Sequence, residues 1–212
     1  TLADYMADCL LHPDHGYYAT RDPFGAGGDF TTAPEISQMF GELLGLCLAQ
    51  AWLDQGAPTP FTLAELGPGR GTLMADLLRA TRTVPGFHAA ARVTLVEASA
   101  TLRGIQRRTL GDHPVIWADT VEALPEAPLF LIANEFFDAL PIRQFTRHLA
   151  GWAETVVGLD GDRLTLGRTP PAPLAALDHR LSDTAPGDIV ELCPAAAPVS
   201  YTHLRAHETK AN

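Results

Sequence analysis

Three closely spaced glycines stand between an apolar segment and an amphipathic one, and this arrangement restricts the possible folds more than any other feature. The run Gly67-Pro68-Gly69-Arg70-Gly71 follows the apolar segment from Phe61 to Leu66, which predicts a buried strand. A helix is predicted from Thr72 to Ala80. Glycines let the backbone turn sharply and approach a ligand, and a helix start offers unpaired N–H groups to an anion. The sequence therefore predicts a strand–loop–helix unit that binds a ligand with a negatively charged group.

The segments that follow continue the alternation of strand and helix. Strands are predicted from Val93 to Glu97, from Val115 to Trp117 and from Leu129 to Ala133. Ser99 is a suitable N-cap for a helix that runs to about Thr109. Apolar strands that alternate with helices are typical of a parallel sheet with helices on both faces. The predicted fold class is therefore α/β, with a Rossmann-like, mostly parallel sheet.

Helices are also predicted before this core. The first runs from Leu2 to Leu11, and a long one begins at Pro34 and ends before Gly56 and Pro58. We expect residues 1–58 to form an N-terminal helical and lid segment, and residues 59–198 to form the core. The long helix has apolar residues at helical spacing, which we expect to face the core. These residues are Ile36, Met39, Phe40, Leu43, Leu44, Cys47 and Ala51.

A β-hairpin insertion is predicted after the core strands. Its arms run from Thr155 to Leu159 and from Arg163 to Leu166, and Asp160-Gly161 supplies the turn. A short helix near residues 174–181 and a strand from Ile189 to Leu192 follow. The hairpin has no place in the strand–helix alternation, so we expect it to be an addition to the core.

The charge balance restricts the partners. The 212 residues carry a net charge of -10, whereas a nucleic-acid-binding surface or an anionic membrane requires basic residues. The three cysteines, Cys9, Cys47 and Cys193, lie far apart, which predicts reduced, buried thiols rather than a metal site. His12 and His15 are expected in a solvent-facing turn, so no metal is predicted.

Acidic residues at the predicted strand ends indicate a cofactor. Glu65 is placed to bind a ligand amino group, and Glu97 is placed to accept both hydroxyls of a ribose. The spacing permits a dinucleotide or S-adenosylmethionine, but Thr72 does not fit the small residue that ends a dinucleotide GxGxxG/A motif. Asp119 follows the third strand, where a carboxylate commonly faces the adenine amino group. The alternative for the glycine run is a turn that binds no ligand, and the alternative for Asp119 is a solvated aspartate in a loop.

Four stretches together resemble the MidA-type family of class I methyltransferases. They are His15 to Tyr18, Gly28 to Gln38, Glu65 to Thr72, and Asn134 to Pro141, in this order. The resemblance extends over about residues 5–194. It implies a class I fold with a seven-stranded sheet and an antiparallel last strand, and S-adenosylmethionine as the cofactor. Because the chain ends early, the closing strands of that sheet are expected to be missing.

The resemblance also implies an activity. Mitochondrial members are protein-arginine methyltransferases that support respiratory complex I assembly, so a protein substrate such as a complex I subunit is expected, in the bacterial cytoplasm or the mitochondrial matrix. Asn134, Glu135 and Asp138 follow the fourth predicted strand, where the acceptor is expected in an open α/β sheet. Glu135 and Asp138 are therefore assigned to the substrate guanidinium, and Asn134 to the amide of the acceptor or to the cofactor. Asp29 and Glu35 are assigned to a lid. The alternative for Glu135 is an acid that stabilises the start of a helix. The alternative for Asp138 is a side chain that stabilises a local turn.

The sequence leaves two other functions open, and its C-terminus is unusual. A non-catalytic assembly factor would retain the same cofactor residues, and a nucleotide-dependent oxidoreductase would use the same kind of sheet. The residues from Val199 to Asn212 resemble a translated sequencing adapter rather than a segment of a natural protein. Residues 199–212 are therefore expected to lie outside the fold.

Overall fold

The structure is a computed structural model, and it describes residues 1–20, 23 and 28–196. The predicted boundary at 198 and the residues after it lie outside this range. The described helices are α1 (Leu2–Leu11), α2 (Tyr17–Thr20), α3 (Ala33–Ile36), α4 (Gln38–Asp54), α5 (Thr72–Ala80), α6 (Phe87–Ala90) and α7 (Ala100–Leu110). The described strands are β1 (Phe61–Leu66), β2 (Ala91–Val96), β3 (Val115–Ala118), β4 (Leu129–Ile132), β5 (Arg143–His148), β6 (Gly151–Asp160), β7 (Arg163–Arg168) and β8 (Ile189–Leu192).

Four parallel strands form the central sheet in the order β3-β2-β1-β4. In the register of the middle strand β1, Glu65 lies opposite Leu95 of β2 and Ile132 of β4. Because the strands are parallel, their carboxyl ends lie along one edge, and the loops that follow them converge there. The predicted α/β class and the parallel sheet are confirmed, and β1 and α5 have the predicted bounds.

Strand β1 is buried on both faces. Phe61 and Leu63 pack on one face in a cluster that includes side chains from α4, α5 and the end of α7. Ala64 and Leu66 pack on the other face, against the 3-10 turn Val121–Ala123 and its neighbours. Each large apolar side chain that is fully buried contributes about 1.5–3 kcal/mol relative to an exposed one. This packing fixes the end of β1 and therefore the loop that carries the glycines.

The predicted long helix from Pro34 is broken at Ser37. This residue has an extended backbone (φ -149, ψ 124), so that α3 ends at Ile36 and α4 begins at Gln38. The Ser37 side chain accepts a hydrogen bond from the N–H of Met39 and caps α4. The prediction of one continuous helix is wrong because serine satisfies a helix start better than it fits a helix interior.

Helix α4 contacts α5 most closely through small residues, and it also buries Trp52 in the core. Leu44 and Ala51 contact the core as predicted, but Gly41 and Gly45 form the closest contact with α5. The prediction is wrong for the other large side chains, because the glycines bring the helix surfaces together and leave the bulky positions outside. The exposed residues are Ile36, Met39, Phe40, Leu43 and Cys47.

A second, antiparallel sheet has the strand order β7-β6-β5-β8. The predicted hairpin corresponds to β6 and β7, and the predicted strand from Ile189 to Leu192 is β8. The sequence did not predict β5, which pairs with both β6 and β8. Arg143 of β5 donates two hydrogen bonds of 2.7 Å to the carboxylate of Glu154 on β6, and this pair fixes the register of the two strands.

The cysteines are free, but they are not all buried. Cys9 and Cys47 are exposed and Cys193 is half-buried, so the prediction of buried thiols is wrong for the first two. Among the described residues there is no cluster of three or more His, Cys, Asp or Glu side chains suited to a metal ion. No helix within the described ranges is long and apolar enough to cross a membrane.

We expect Gly45→Ala to destabilise the protein. A Cβ at this position would lie 2.9 Å from the Cα of Leu77 and 3.1 Å from its carbonyl oxygen, so α4 would have to move away from α5. The expected loss is about 1–3 kcal/mol in the free energy of unfolding, measured by urea denaturation.

Gly104→Ala in α7 is the matched control. A Cβ there meets only a flexible arginine at 3.9 Å, so the better helix propensity of alanine should stabilise the protein by about 0.5–1 kcal/mol. Equal effects of the two substitutions would contradict the close packing of α4 on α5.

Candidate active site

A cleft of about 640 Å³ opens at the carboxyl ends of the central strands. Most of the residues predicted for the cofactor and the substrate line this cleft: Glu35, Glu65, Gly67, Gly69, Glu97, Asp119, Asn134, Glu135 and Asp138. Two predicted residues do not line it. They are Gly71, at the end of the glycine loop, and Asp29, which accepts a hydrogen bond from the hydroxyl of Tyr17.

The glycine loop forms one wall of the cleft with its backbone. Gly67 has a left-handed backbone (φ +58), and a Cβ there would lie 2.8 Å from the ring of Phe136. Gly71 is also left-handed (φ +80), and it precedes α5 without a capping side chain. Other residues would strain the backbone at both positions. The backbone conformation of the loop therefore requires glycine at positions 67 and 71.

Glu65 lies at the end of β1, with its side chain buried at the base of the cleft. The residue is 3% exposed, and its Oε2 has no hydrogen-bond partner within the described structure. Burial raises the pKa of this carboxyl to about 8, so its apolar surroundings favour the neutral acid at neutral pH. A positively charged ligand group at Oε2 would provide the missing partner and favour the carboxylate.

Glu97, immediately after β2, is held by neighbouring groups. The N–H of Ser99 donates to its Oε1 at 2.8 Å, and the amide of Gln106 donates to its Oε2 at 3.2 Å. Burial raises the pKa of Glu97, and these hydrogen bonds oppose the shift. A carboxylate has about four acceptor positions, so both oxygens can still accept from two ribose hydroxyls.

Gln106 of α7 connects the glycine loop to Glu97. Its side chain is fully buried, and its Nε2 also donates to the carbonyl oxygen of Gly69 at 2.8 Å. Its Oε1 accepts from the indole N–H of Trp117 at 2.8 Å. Since an indole nitrogen only donates, this contact fixes the orientation of the amide. The sequence analysis missed Gln106, because a glutamine within a helix has no signal that distinguishes it from a surface residue.

Arg103, which the sequence analysis also missed, joins the ends of β2 and β3. Its guanidinium donates to the carbonyl oxygens of Glu97 and Ala118. It also forms an ion pair of 2.6 Å with Asp119, whose own side chain is largely exposed. The pair holds one oxygen of Asp119 and leaves the carboxylate at the mouth of the cleft, where a ligand can reach it.

Glu35 reaches the glycine loop from the N-terminal segment. Its carboxylate accepts a hydrogen bond of 2.5 Å from the hydroxyl of Thr72 and one of 3.4 Å from Arg70. Thr72 is the first residue of α5, so this contact places a negative charge beside the positive end of that helix. The segment predicted as a lid is therefore connected to the glycine loop and to the start of α5 by hydrogen bonds of Glu35.

The residues after β4 form the opposite rim of the cleft. Glu135 has a left-handed backbone (φ +47), which is uncommon for a residue with a side chain and often marks a functional position. Glu135 and Asp138 are both exposed at this rim. Burial, and to a smaller extent the Asp138 carboxylate, raises the pKa of Tyr18 of α2. Tyr18 also lines the cleft, and only its place in a family motif could have indicated it.

These features define a class of protein. A glycine loop, an acid after each strand and a cleft at the carboxyl edge of a parallel sheet are typical of Rossmann-like proteins that bind a nucleoside-containing cofactor. Residues 43–206 match the model of a family described as "Putative S-adenosyl-L-methionine-dependent methyltransferase". The chain belongs to this family, which is the MidA-type family that its motifs resemble.

Named relatives and solved structures agree with this assignment. Protein arginine methyltransferase NDUFAF7 of Bos taurus mitochondria is 37% identical over 94% of this chain and 51% of its own length. The Danio rerio protein of the same name is 38% identical over 76% of this chain and 43% of its own length. The chain therefore spans about half the length of the curated relatives it matches.

A Burkholderia thailandensis protein of known structure has a similar fold. Its crystal structure with bound S-adenosyl-homocysteine superposes with a TM-score of 0.76, at 33% identity, and the match covers 93% of this chain and 53% of that one. The family assignment distinguishes between the two cofactors that the glycine spacing left open. It favours a methyltransferase over an oxidoreductase.

The cleft fits S-adenosylmethionine at several points. Glu65 lines the cleft and has a buried, unpaired Oε2, an acceptor that suits an ammonium group. The start of α5 has no capping side chain on Gly71, and helix starts favour carboxylates. Glu97 has the free acceptor positions that a ribose needs. We therefore treat Glu65, Gly67, Gly69, Gly71, Glu97 and Asp119 as the candidate cofactor residues.

The raised pKa of Glu65 predicts how stability depends on pH when no ligand is bound. Between about pH 4.5 and pH 8 the folded protein keeps a proton that the unfolded chain releases, so the free energy of unfolding should fall as the pH rises. In Glu65→Gln this fall should be smaller, but some of it should remain because Glu97 contributes a pH dependence of the same sign. Urea denaturation at several pH values across the range measures the fall.

Glu126→Gln is a suitable control, because Glu126 is exposed and does not line the cleft. This variant should keep the pH dependence of the unmodified chain. An unchanged slope in Glu65→Gln would show that the carboxyl at this position is already ionised near pH 5.

Proposed function

We propose that this chain is the cofactor-binding part of a protein arginine methyltransferase. The observation that carries the proposal is that one cleft contains both Glu65 and Glu97, on the sheet side, and Glu135 and Asp138 on the opposite rim. The first pair suits S-adenosylmethionine, and the second suits a cationic acceptor. The name of the Bos taurus relative, a protein arginine methyltransferase, supports arginine as that acceptor.

On the cofactor side, each group has one task. Glu65 binds the ammonium group and the glycine loop with the start of α5 binds the carboxylate. Glu97 binds the ribose hydroxyls, and Asp119 binds the adenine amino group. When bound, S-adenosylmethionine supplies an electrophilic methyl group. Glu35 anchors the N-terminal segment to Thr72, which helps to exclude water from this side of the cleft.

On the acceptor side, the carboxylates orient the guanidinium. An arginine stays charged at neutral pH, and its planar group presents several N–H donors in a fixed fork. Glu135 and Asp138 accept hydrogen bonds from two of its nitrogens and concentrate the positive charge there. The third nitrogen is then the better nucleophile, and Asn134 helps to hold it in line.

The reaction requires one proton to leave the acceptor. When S-adenosylmethionine is bound, its methyl group would pass to the attacking nitrogen with the sulfonium sulfur as leaving group, and this nitrogen would lose one N–H proton. Glu135 and Asp138 are exposed, so water reaches this rim and can accept the proton from the attacking nitrogen. The product guanidinium keeps its charge and can leave the acidic rim by exchange with solvent.

The wider role is proposed from the relatives. A protein substrate such as a subunit of respiratory complex I would meet the rim formed by Glu135 and Asp138. The relatives are mitochondrial by name, so the mitochondrial matrix, or the cytoplasm of a bacterium, is the proposed compartment.

We predict that Glu135→Gln keeps cofactor binding but loses methyl transfer. The substitution removes a charge that faces the acceptor and leaves the cofactor residues unchanged. The rate of transfer of labelled methyl groups to lysate proteins should fall roughly 100-fold, as expected when one charge-stabilising group is lost. S-adenosylhomocysteine should bind with unchanged affinity in a calorimetric titration.

Glu126→Gln is again the control with the same change of charge, and it should transfer methyl groups at the original rate. If the unmodified chain binds S-adenosylhomocysteine but labels no protein, the chain acts as a binding factor rather than an enzyme. Equal transfer rates for Glu135→Gln and the unmodified chain would remove Glu135 from the mechanism.

A further inference from the structure

The guanidinium of Arg103 binds three groups at the ends of β2 and β3. Its Nε donates to the carbonyl oxygen of Glu97 at 2.7 Å, and its Nη2 donates to the carbonyl oxygen of Ala118 at 3.1 Å. Glu97 directly follows β2, and Ala118 ends β3. The same Nη2 lies 2.6 Å from Oδ1 of Asp119. Arg103 therefore connects an acid at the mouth of the cleft to two carbonyl groups whose positions the sheet fixes.

Asp119 depends on Arg103 for its orientation. The side chain of Asp119 is 83% exposed, whereas that of Arg103 is 20% exposed. Within the part of the chain that the structure describes, no other group donates a hydrogen bond to the Asp119 carboxylate. An exposed ion pair contributes little to stability. The effect of this pair is therefore to hold Oδ1 in place and to leave Oδ2 as an acceptor for a ligand in the cleft that Asp119 lines.

A carboxylate held at this position can distinguish purine bases by the group at their position 6. A carboxylate oxygen accepts hydrogen bonds and donates none. The 6-amino group of adenine donates a hydrogen bond, whereas a purine with hydrogen at this position has nothing to donate there. A site built to bind an N–H group rejects a ligand that lacks it, because the acceptor of the site is then left without its partner. A freely rotating, exposed side chain would turn to water instead and would lose this discrimination.

We propose that Arg103 is the positioning residue that makes the cofactor site selective for a 6-aminopurine. The inference rests on the proposed function, in which Asp119 binds the adenine amino group, and it explains how so exposed an acid can select a base. Arginine suits this task because its planar group offers several donors in a fixed fork, which the point charge of a lysine does not. Arg103 does not line the cleft, so it acts on the base through Asp119.

Helix α7 has separate residues for the ribose and for the base. Arg103 binds Glu97 only through the backbone carbonyl. The Glu97 carboxylate, which is proposed to bind the ribose, has its own donors in the N–H of Ser99 and the amide of Gln106. Loss of Gln106 should therefore weaken every ligand that contains the ribose, whereas loss of Arg103 should change the preference for the base.

The test compares S-adenosylhomocysteine with its analogue in which hydrogen replaces the 6-amino group. In calorimetric titrations, the unmodified chain should bind S-adenosylhomocysteine roughly tenfold more tightly than the analogue, as expected for one hydrogen bond to a charged acceptor. Arg103→Met and Asp119→Ala should each lose most of this preference. Arg108→Met, at an exposed arginine of α7 outside the cleft, is the matched control and should keep it.

Two further variants separate positioning from a general effect on the fold. If Arg103 acts through Asp119, the double variant Arg103→Met/Asp119→Ala should show the same preference as either single variant. Gln106→Leu should weaken both ligands equally and keep the preference of the unmodified chain.

Three results would overturn the proposal. The first is an unmodified chain that binds the two ligands equally. The second is an Arg103→Met variant that weakens both ligands alike and keeps the preference. The third is an unchanged preference in Asp119→Ala, which removes only an exposed side chain and so gives an answer even where Arg103→Met does not fold. If the unmodified chain binds neither ligand, the proposed function itself fails, and this inference fails with it.

Discussion

The side-chain amide of Gln106 joins three parts of the molecule that are far apart in sequence. It donates to the glycine loop at Gly69 and to Glu97, and it accepts from Trp117 of β3. Because the amide is fully buried, its loss would leave three polar groups without partners away from water, which is costly. The positions of the glycine loop and of Glu97 are therefore coupled, and the geometry of the cleft depends on this one residue.

The carboxylates of the cleft form two groups with different environments. Glu65 and Glu97 lie against the sheet, where burial raises the pKa of each, whereas Glu135 and Asp138 lie exposed at the rim. A buried acid that is neutral when alone can accept a cationic ligand group and release a proton. Exposed acids stay accessible to a protein substrate. The cleft thus has a buried acidic side and an exposed acidic rim, which suits the proposed separation of cofactor from acceptor.

The sequence predicted those parts of the fold that depend on local patterns. Apolar runs located β1 and β4, and Ser99 marked the start of α7, as its hydrogen bond to the N–H of Leu102 confirms. Strand β5 was missed because only Phe145 and Thr146 among its residues are buried, so its pairing with β6 and β8 is not visible locally.

The same limit applies to the site. Acids that directly follow a strand could be predicted, because parallel strands bring them to one edge. The contact of Glu35 with Thr72 spans 37 positions, and the backbone strain at Glu135 has no sequence signal. The exposed face of α4 was assigned to the core because the packing there depends on Gly41 and Gly45, which apolar periodicity does not count. Titration calorimetry with S-adenosylhomocysteine on the chain and on Gln106→Leu, with the exposed Gln50→Leu as control, tests the central claim most directly. We expect the chain and the control to bind equally. Gln106→Leu should bind at least roughly tenfold more weakly, because one buried network is lost, while it still unfolds cooperatively. Equal affinity in all three proteins, or no binding to the unmodified chain, would contradict the claim.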